Sequence, residues 1–142
     1  MVYSSKKTQW LRVAGSAIAV VLFSFLAITV ITFGYAFVLA IKVRGRPDQA
    51  AISHFASAIS RWLMPLLEMF FTFFVAMFVS KKIENNNSLH GLFIGTLAGL
   101  LSVALNLSLG GHLHNTTIFF FLMVIGLGYF GGYTGQRYFS KK

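Results

Sequence analysis

The chain alternates between long apolar runs and short polar segments. Four runs are long enough to be membrane spans, and they cover residues 13–41, 62–79, 90–110 and 117–136. A helix that crosses the hydrocarbon core needs about 20 mostly apolar residues, and only helices and closed barrels satisfy every backbone hydrogen bond there. The pattern therefore predicts an all-α fold. We expect a polytopic integral membrane protein with four transmembrane helices in a single domain over residues 1–142.

The first run is longer than one crossing requires. At about 1.5 Å per residue it exceeds the ~30 Å hydrocarbon core, so we expect this helix to tilt or to project beyond the membrane. A secretory signal peptide is the competing interpretation, but its apolar region would be only about 7–15 residues long. The run is therefore interpreted as an uncleaved first span.

Residues 42–61 interrupt the apolar pattern. Gly45 and Pro47 should end the first helix, and Asp48 is suited to cap the next one. Over residues 48–61 apolar side chains recur at intervals of three and four, which is typical of an amphipathic helix. We expect this helix to lie at the membrane interface and to lead into the second span. Its apolar positions are Ile52, Phe55, Ala56 and Ile59.

The third and fourth runs carry small residues on one helical face. With about 100° of rotation per residue, the small residues of each run gather within a face roughly 100° wide. Each interior glycine costs about 1 kcal/mol of helix propensity, but it lets two helix backbones approach closely in a membrane. We therefore expect these spans to pack glycine face to glycine face, as a glycine zipper. The predicted packing residues are Gly91, Gly95, Gly99, Ser102 and Asn106 in the third span and Gly128, Gly131, Gly132 and Gly135 in the fourth.

Two motifs in this second half carry a resemblance. The third span begins H-G-L-F-I-G-T-L-A-G-L, and the fourth ends G-G-Y-T-G-Q-R. Together they resemble small four-span prokaryotic membrane proteins of unknown function. The likeness covers the second half of the chain and consists mostly of glycine spacing, so it implies a fold and no activity.

Composition agrees with a membrane protein. The chain is 56% hydrophobic and 11% charged, with no cysteine. Disulfides, thiolate metal sites and cysteine nucleophiles are thereby excluded. The net charge of +9 lies almost wholly beside and between the apolar runs, where it sets topology and contacts anionic lipid. We therefore expect the lipid bilayer as a partner and no nucleic acid.

The distribution of Lys and Arg predicts the orientation. With the N-terminus inside, eight basic residues lie on the cytoplasmic side and four on the other, which favours cytoplasmic N- and C-termini. A prokaryotic cytoplasmic (inner) membrane is the expected location. The eight are Lys6, Lys7, Arg12, Lys81, Lys82, Arg137, Lys141 and Lys142, and the four are Lys42, Arg44, Arg46 and Arg61.

Glu68 is the acidic residue inside an apolar run. A charge at membrane depth costs about 2.5–3.5 kcal/mol on insertion scales, so such residues usually face the bundle or a wet cavity. In a helix that continues across residue 65, His54, Arg61 and Thr72 share its face. One hypothesis is a proton or cation site formed by these four residues. The alternative, which the pattern favours, is a structural carboxylate that is hydrogen-bonded or paired with Arg61.

The histidines allow two further hypotheses. His112 and His114 form an H-x-H motif on the same predicted side as His54, and imidazoles are suitable zinc or copper ligands. The favoured alternative is that both histidines are solvated loop residues, because the motif has no second fixed pair of ligands. His90, on the opposite side, could ligate a haem or chlorophyll only if another chain completed the site. We therefore predict no cofactor.

Two classes of function follow from these residues. Phosphate loops, nucleophile elbows and zinc-protease motifs are absent from the sequence, so we predict no enzymatic activity. The favoured expectation is a structural or accessory membrane protein that packs through its glycine-rich faces in a homo-oligomer or with other membrane subunits. The alternative is a small proton- or cation-coupled transporter or channel that uses Glu68 and the polar stripe. It would be similar to the small multidrug exporters in having four spans and one membrane carboxylate.

Overall fold

A computed structural model describes residues 5–81, 87–108 and 115–139, and these ranges form four α-helices. Helix α1 covers Ser5–Val43 and α2 covers Gln49–Ser80. Helix α3 covers Asn87–Ser108 and α4 covers Asn115–Phe139. Each is long and apolar enough to cross a membrane, which confirms the prediction of an all-α, multi-pass membrane fold.

The turn between α1 and α2 shows why these helices begin and end where they do. Arg44 takes a left-handed backbone conformation, with a φ of 49°, so that α1 ends at Val43, two residues before Gly45. Asp48 is the N-cap of α2, and its carboxylate accepts a hydrogen bond of 2.9 Å from the backbone N–H of Ala50. That bond satisfies one of the orphan donors of the first helical turn.

The four helices form a ring in which two members also meet across the centre. Helices α1 and α4 each pack on both α2 and α3, and α2 also contacts α3. Within the described ranges, α1 and α4 do not contact each other. The order around the bundle is therefore α1, α2, α4, α3, with α2 and α3 on the short diagonal.

Glycine contacts bring α3 and α4 together at backbone distance. A Cβ at Gly91 would overlap the carbonyl oxygen of Gly128, and a Cβ at Gly128 would overlap that of Gly91. One turn further along α3, a Cβ at Gly95 would lie 2.6 Å from the carbonyl oxygen of Val124. At these positions a side chain of any size would push the helices apart.

The glycine face of α4 serves two neighbours. Gly128 and Gly132 lie against α3, where Gly132 meets the backbone of Asn87. Gly131 and Gly135 lie against α2, and a Cβ at Gly135 would be 2.5 Å from the carbonyl oxygen of Met77. A face about 100° wide is broad enough to contact two helices at once. From the sequence we expected contact with α3 alone.

Polar contacts join three helices at the end of α2. Ser80 Oγ donates to the carbonyl oxygen of Ala76 at 2.8 Å and to that of Gly132 at 3.2 Å. Asn87 Nδ2 donates to the carbonyl oxygen of Ser80 at 3.2 Å. The start of α3 and the middle of α4 are thereby tied to the last turn of α2.

Helix α2 is continuous where the sequence predicts an interfacial helix followed by a span. It runs from Gln49 through Pro65 to Ser80. Within the apolar face predicted over residues 48–61, Phe55 packs on α1, where it stacks on Tyr35 with ring centroids 3.8 Å apart. An amphipathic pattern reveals that a face is covered but does not reveal what covers it.

Candidate functional site

A cleft of about 650 Å³ lies in the bundle where α3 ends and α4 begins. All four helices contribute to its wall, and its volume is within the range of small-molecule sites in proteins. Its apolar side includes Phe25 of α1 and Phe120 and Phe121 of α4. The polar lining residues are Ser57, Ser60, Arg61, Glu68, Ser102, Asn106, Thr116 and Thr117.

Glu68 lies at the inner end of this cleft. Its side chain is only 6% exposed, although the cleft reaches it. Ser102 Oγ of α3 donates a hydrogen bond to Glu68 Oε1, so the carboxylate is held across the α2–α3 contact. A carboxylate accepts about four hydrogen bonds, and one donor leaves most of that capacity open toward the cleft.

Arg61 lies nearer the mouth of the cleft. It is on the same helix as Glu68, seven positions earlier, which places it about 10 Å away along the axis. Arg61 is exposed and lines the cleft with Glu68, but among the described residues the structure records no salt bridge between them. The sequence left two contacts open for Glu68, a hydrogen bond or an ion pair with Arg61. The structure contains the hydrogen bond, and its donor is Ser102.

Thr72 lies one turn below Glu68 on the buried face of α2. It is fully buried, and its Oγ1 has no hydrogen-bond partner among the described residues. Most other helical hydroxyls in the described ranges donate to a carbonyl three or four residues earlier. Examples are Ser24 to Val20, Thr29 to Phe25, Ser80 to Ala76 and Thr96 to Leu92. A buried hydroxyl without a partner carries a desolvation cost of about 1–3 kcal/mol. Thr72 is not among the residues that line the cleft, but it lies one helical turn from Glu68, which does.

Below Thr72 the bundle is closely packed and apolar. Val13, Ala76 and Ile94 form a cluster in which no member is more than 1% exposed. Two helical turns separate Thr72 from Ser80, the next polar residue on the buried face of α2. Among the described residues, the cleft therefore faces the end of the bundle where α3 stops, and apolar packing closes its inner end.

The structure separates the residues that the sequence placed in one polar stripe. Glu68 and Thr72 are buried in the bundle, whereas Arg61 is exposed at the cleft. His54 is exposed on the first turns of α2 and does not line the cleft. The stripe thus has a buried end and a solvent-exposed end.

Three predicted packing residues belong to the cleft: Gly99, Ser102 and Asn106. Ser102 supplies the hydrogen bond to Glu68, and Asn106 is exposed on the cleft wall. The contributions of Phe25 and Thr116 to the cleft could not be predicted from the sequence. Their helices carry no local signal that distinguishes a cleft wall from a lipid-facing surface. At Gly99 the ring of Phe121 occupies the space that a Cβ would need.

The hypothesis of a metal site concerns residues outside those described. His112 and His114 fall between α3 and α4, beyond the described ranges. Among the residues that are described, no three His, Asp or Glu side chains come together in a way that could hold a metal ion. His90 lies in the first turn of α3, where its ring is 6.0 Å from that of Trp10.

Comparisons with known proteins add no functional relative. No protein-family model matches the chain, and neither a curated protein nor a solved structure matches it. The four apolar helices define the class as multi-pass membrane proteins. Any more specific function has to be inferred from the cleft and its residues.

Proposed function

We propose that the protein is a small cation- or proton-coupled transporter whose coupling residue is Glu68. The observation that carries this proposal is a cleft, located where α3 ends and α4 begins, that reaches a buried carboxylate. A carboxylate at membrane depth is costly unless a proton or a cation compensates its charge. The cleft provides the access route that such exchange requires.

Two features near the inner end of the cleft fit a small cation. Glu68 accepts one hydrogen bond and keeps oxygen lone pairs available. Thr72 adds an unpartnered hydroxyl within one helical turn, where side chains four residues apart are about 5–6 Å apart at Cβ. Carboxylate and hydroxyl oxygens together are the ligands that hard cations prefer.

The apolar packing at the inner end of the cleft supports a transporter over a channel. A channel needs a continuous polar path, and the cluster of Val13, Ala76 and Ile94 interrupts the buried face of α2. A transporter needs an occluding barrier that moves to the other side of the site as the conformation changes. We assign this arrangement to the state that is open at the α3–α4 end.

A structural or accessory role is the second candidate, and the hydrogen bond from Ser102 to Glu68 favours it. That bond joins α3 to α2, and interhelical hydrogen bonds in membranes contribute about 0.6 kcal/mol on average. In this role the glycine-rich faces hold the chain together as a glycine zipper. Because these glycines contact helices of the same chain, a homo-oligomer or a complex with other subunits would use other surfaces.

Placement in the membrane is part of the proposal. We place the protein in a prokaryotic inner membrane with both termini in the cytoplasm, as the basic residues favour. The cleft then opens toward the outside, because α3 runs outward to its end at Ser108. The start of α2, over residues 48–61, then lies at or beyond the outer interface.

Flux measurements in proteoliposomes test the transporter. Purified protein is reconstituted with a pH dye inside the vesicles, and proton flux is followed under an imposed K⁺, Na⁺ or pH gradient. We expect flux above that of protein-free vesicles, abolished by Glu68→Gln and retained by Ser53→Ala, which changes an exposed residue outside the cleft lining. Size-exclusion chromatography of each variant shows whether it remains folded.

The two candidates give different results in this experiment. Loss of flux in a folded Glu68→Gln protein supports the transporter. Equal flux in the wild type, Glu68→Gln and protein-free vesicles would reject it. If Glu68→Gln also unfolds readily in detergent, the structural role of the carboxylate gains support instead.

A further inference from the structure

Helices α1 and α2 extend well beyond the other two at the cleft end of the bundle. The hydrogen bond between Ser102 and Glu68 places these residues at the same level. From that level α3 continues for about 9 Å to its end, whereas α2 continues for about 29 Å to its start, at ~1.5 Å per residue. The stacked rings of Tyr35 and Phe55 show that α1 accompanies α2 over this extension.

This extension, which we call the projecting hairpin, comprises residues 31–43 of α1, the turn at 44–48 and residues 49–61 of α2. It exceeds the end of α3 by about 20 Å. Its two helices cover each other through their inner faces, where Phe55 stacks on Tyr35. Its outer faces are left without a protein partner in the described part of the chain.

The two outer faces differ in chemistry. On α2 the exposed positions are polar residues or alanines and include Ser53 and His54. On α1 they are apolar: Phe33 is 76% exposed, Phe37 68% and Ile41 62%. Steps of four residues place these three side chains on one face of α1. The projecting hairpin is therefore amphipathic as a unit, with an apolar side formed by α1.

The tip of the hairpin is strongly basic. Lys42, Arg44 and Arg46 are all exposed within five residues of one another. The nearby carboxylate of Asp48 is engaged by the backbone N–H of Ala50 as the cap of α2. Three cations therefore sit beside the apolar face of α1.

We propose that the projecting hairpin lies against the membrane surface, with the apolar face of α1 at the acyl boundary and its basic tip among anionic headgroups. An apolar face bordered by Lys and Arg is the pattern of elements that bind the interface of anionic membranes. Helix α1 is about 58 Å long, which exceeds the ~40–45 Å of a bilayer with its headgroups. A long apolar helix accommodates this mismatch by tilting, and tilt brings the outer face of α1 down onto the lipid.

Charge argues for lipid over a second copy of the chain. Two copies that paired in parallel through the apolar faces of α1 would bring two tips of three cations each together. Like charges at an interface are unfavourable, whereas anionic headgroups compensate the same cations. This inference is independent of the function proposed for Glu68.

Site-directed fluorescence tests the proposal, since the chain contains no cysteine and a single one can be introduced. An environment-sensitive dye is attached to Phe37→Cys and, as a matched control, to Ser53→Cys on the polar side near the same level. Both positions are exposed, so neither change disturbs the bundle. The proteins are placed in nanodiscs of phosphatidylglycerol and phosphatidylcholine that carry a nitroxide lipid as quencher.

We expect the dye at position 37 to be quenched severalfold more than the dye at position 53. The difference should shrink in pure phosphatidylcholine and in the triple variant Lys42→Gln, Arg44→Gln, Arg46→Gln. Equal, weak quenching at both positions would show that the hairpin stands in water and would overturn the proposal. Efficient disulfide or excimer formation between two copies at position 37 would show that a second copy covers this face. Quenching at position 37 that is equal in both lipid compositions and in the triple variant would overturn the role of the basic tip.

Discussion

The hydroxyl of Ser102 on α3 donates a hydrogen bond to the carboxylate of Glu68 on α2. This bond links the two helices that lie on the short diagonal of the bundle. It lies where the cleft meets the packed interior. A structural carboxylate and a coupling carboxylate would both occupy such a position. The two roles differ in what happens when the bond is removed.

A double-mutant cycle measures the energy of this bond. Glu68→Gln, Ser102→Ala and the double variant are compared with the wild type in thermal melts in mild detergent. Because the acceptor is a buried carboxylate, we expect a coupling energy of about 1 kcal/mol, above the average for hydrogen bonds between membrane helices. Additive effects of the two changes would mean that the bond contributes nothing to stability.

The same cycle with Arg61 serves as the comparison. Arg61 lies about 10 Å along the helix from Glu68, and the structure records no salt bridge between them among the described residues. We expect the coupling between Glu68→Gln and Arg61→Gln to be near zero. A strong coupling would show that the two side chains pair in the membrane, as the sequence analysis first considered.

Glycine contacts give a prediction with an internal control. Gly91→Ala should destabilise by about 2 kcal/mol, because its new Cβ would overlap the backbone of Gly128 and force α3 and α4 apart. Gly126→Ala should be neutral or stabilise by up to about 1 kcal/mol, since nothing lies within 4 Å of that Cβ and alanine favours helix. Melting temperatures of the two variants are compared in the same detergent. Equal losses would indicate a general intolerance of the helices to substitution.

A graded effect is expected within α3. The Cβ of Gly95→Ala would meet the carbonyl oxygen of Val124 at 2.6 Å, and backbone cannot rotate away. The Cβ of Gly99→Ala would meet a ring carbon of Phe121 at 2.6 Å, and that ring borders the cleft and can move into it. Gly95→Ala should therefore cost more stability than Gly99→Ala. The reverse order of melting temperatures would contradict the assigned contacts.

Orientation can be tested by labelling single cysteines. Ser5→Cys and Asn85→Cys should react with an impermeant maleimide only after the membrane is opened, whereas Leu113→Cys should react in intact cells. Labelling of position 113 only from the cytoplasmic side would invert the proposed topology. The cleft and the projecting hairpin would then face the cytoplasm.

The sequence predicted the helices well because their apolar periods are local. Three of the four predicted spans lie within a helix of the structure. The third lies within α3 as far as Ser108, and its last two positions, 109 and 110, are outside the described residues. It predicted less about neighbours. The apolar face at Phe55 was assigned to the membrane, but Tyr35 of α1 covers it. Periodicity reports a covered face, and the identity of the cover is a tertiary property.

The candidate site was predicted in part for the same reason. Glu68 was singled out because a carboxylate inside an apolar run is costly wherever it lies. Ser102 was predicted as a helix-packing residue that can form an interhelical hydrogen bond, but its partner, Glu68, depends on how α2 and α3 come together. The wall contributed by Phe25 and Thr116 depends on how four helices come together, which no single segment encodes.

Thr72 offers the sharpest separation between the two proposed functions. Its buried Oγ1 has no partner among the described residues, so Thr72→Val removes a desolvated hydroxyl while it keeps a branched side chain of similar shape. An unpartnered buried hydroxyl costs about 1–3 kcal/mol, and we therefore expect the variant to melt at the same or a higher temperature without added cation.

If the hydroxyl helps to hold a cation beside Glu68, the rise in melting temperature that Na⁺ or K⁺ produces in the wild type should be smaller in Thr72→Val. The rise should disappear in Glu68→Gln. A cation-dependent rise of equal size in the wild type and both variants would place any cation elsewhere and remove Thr72 from the site.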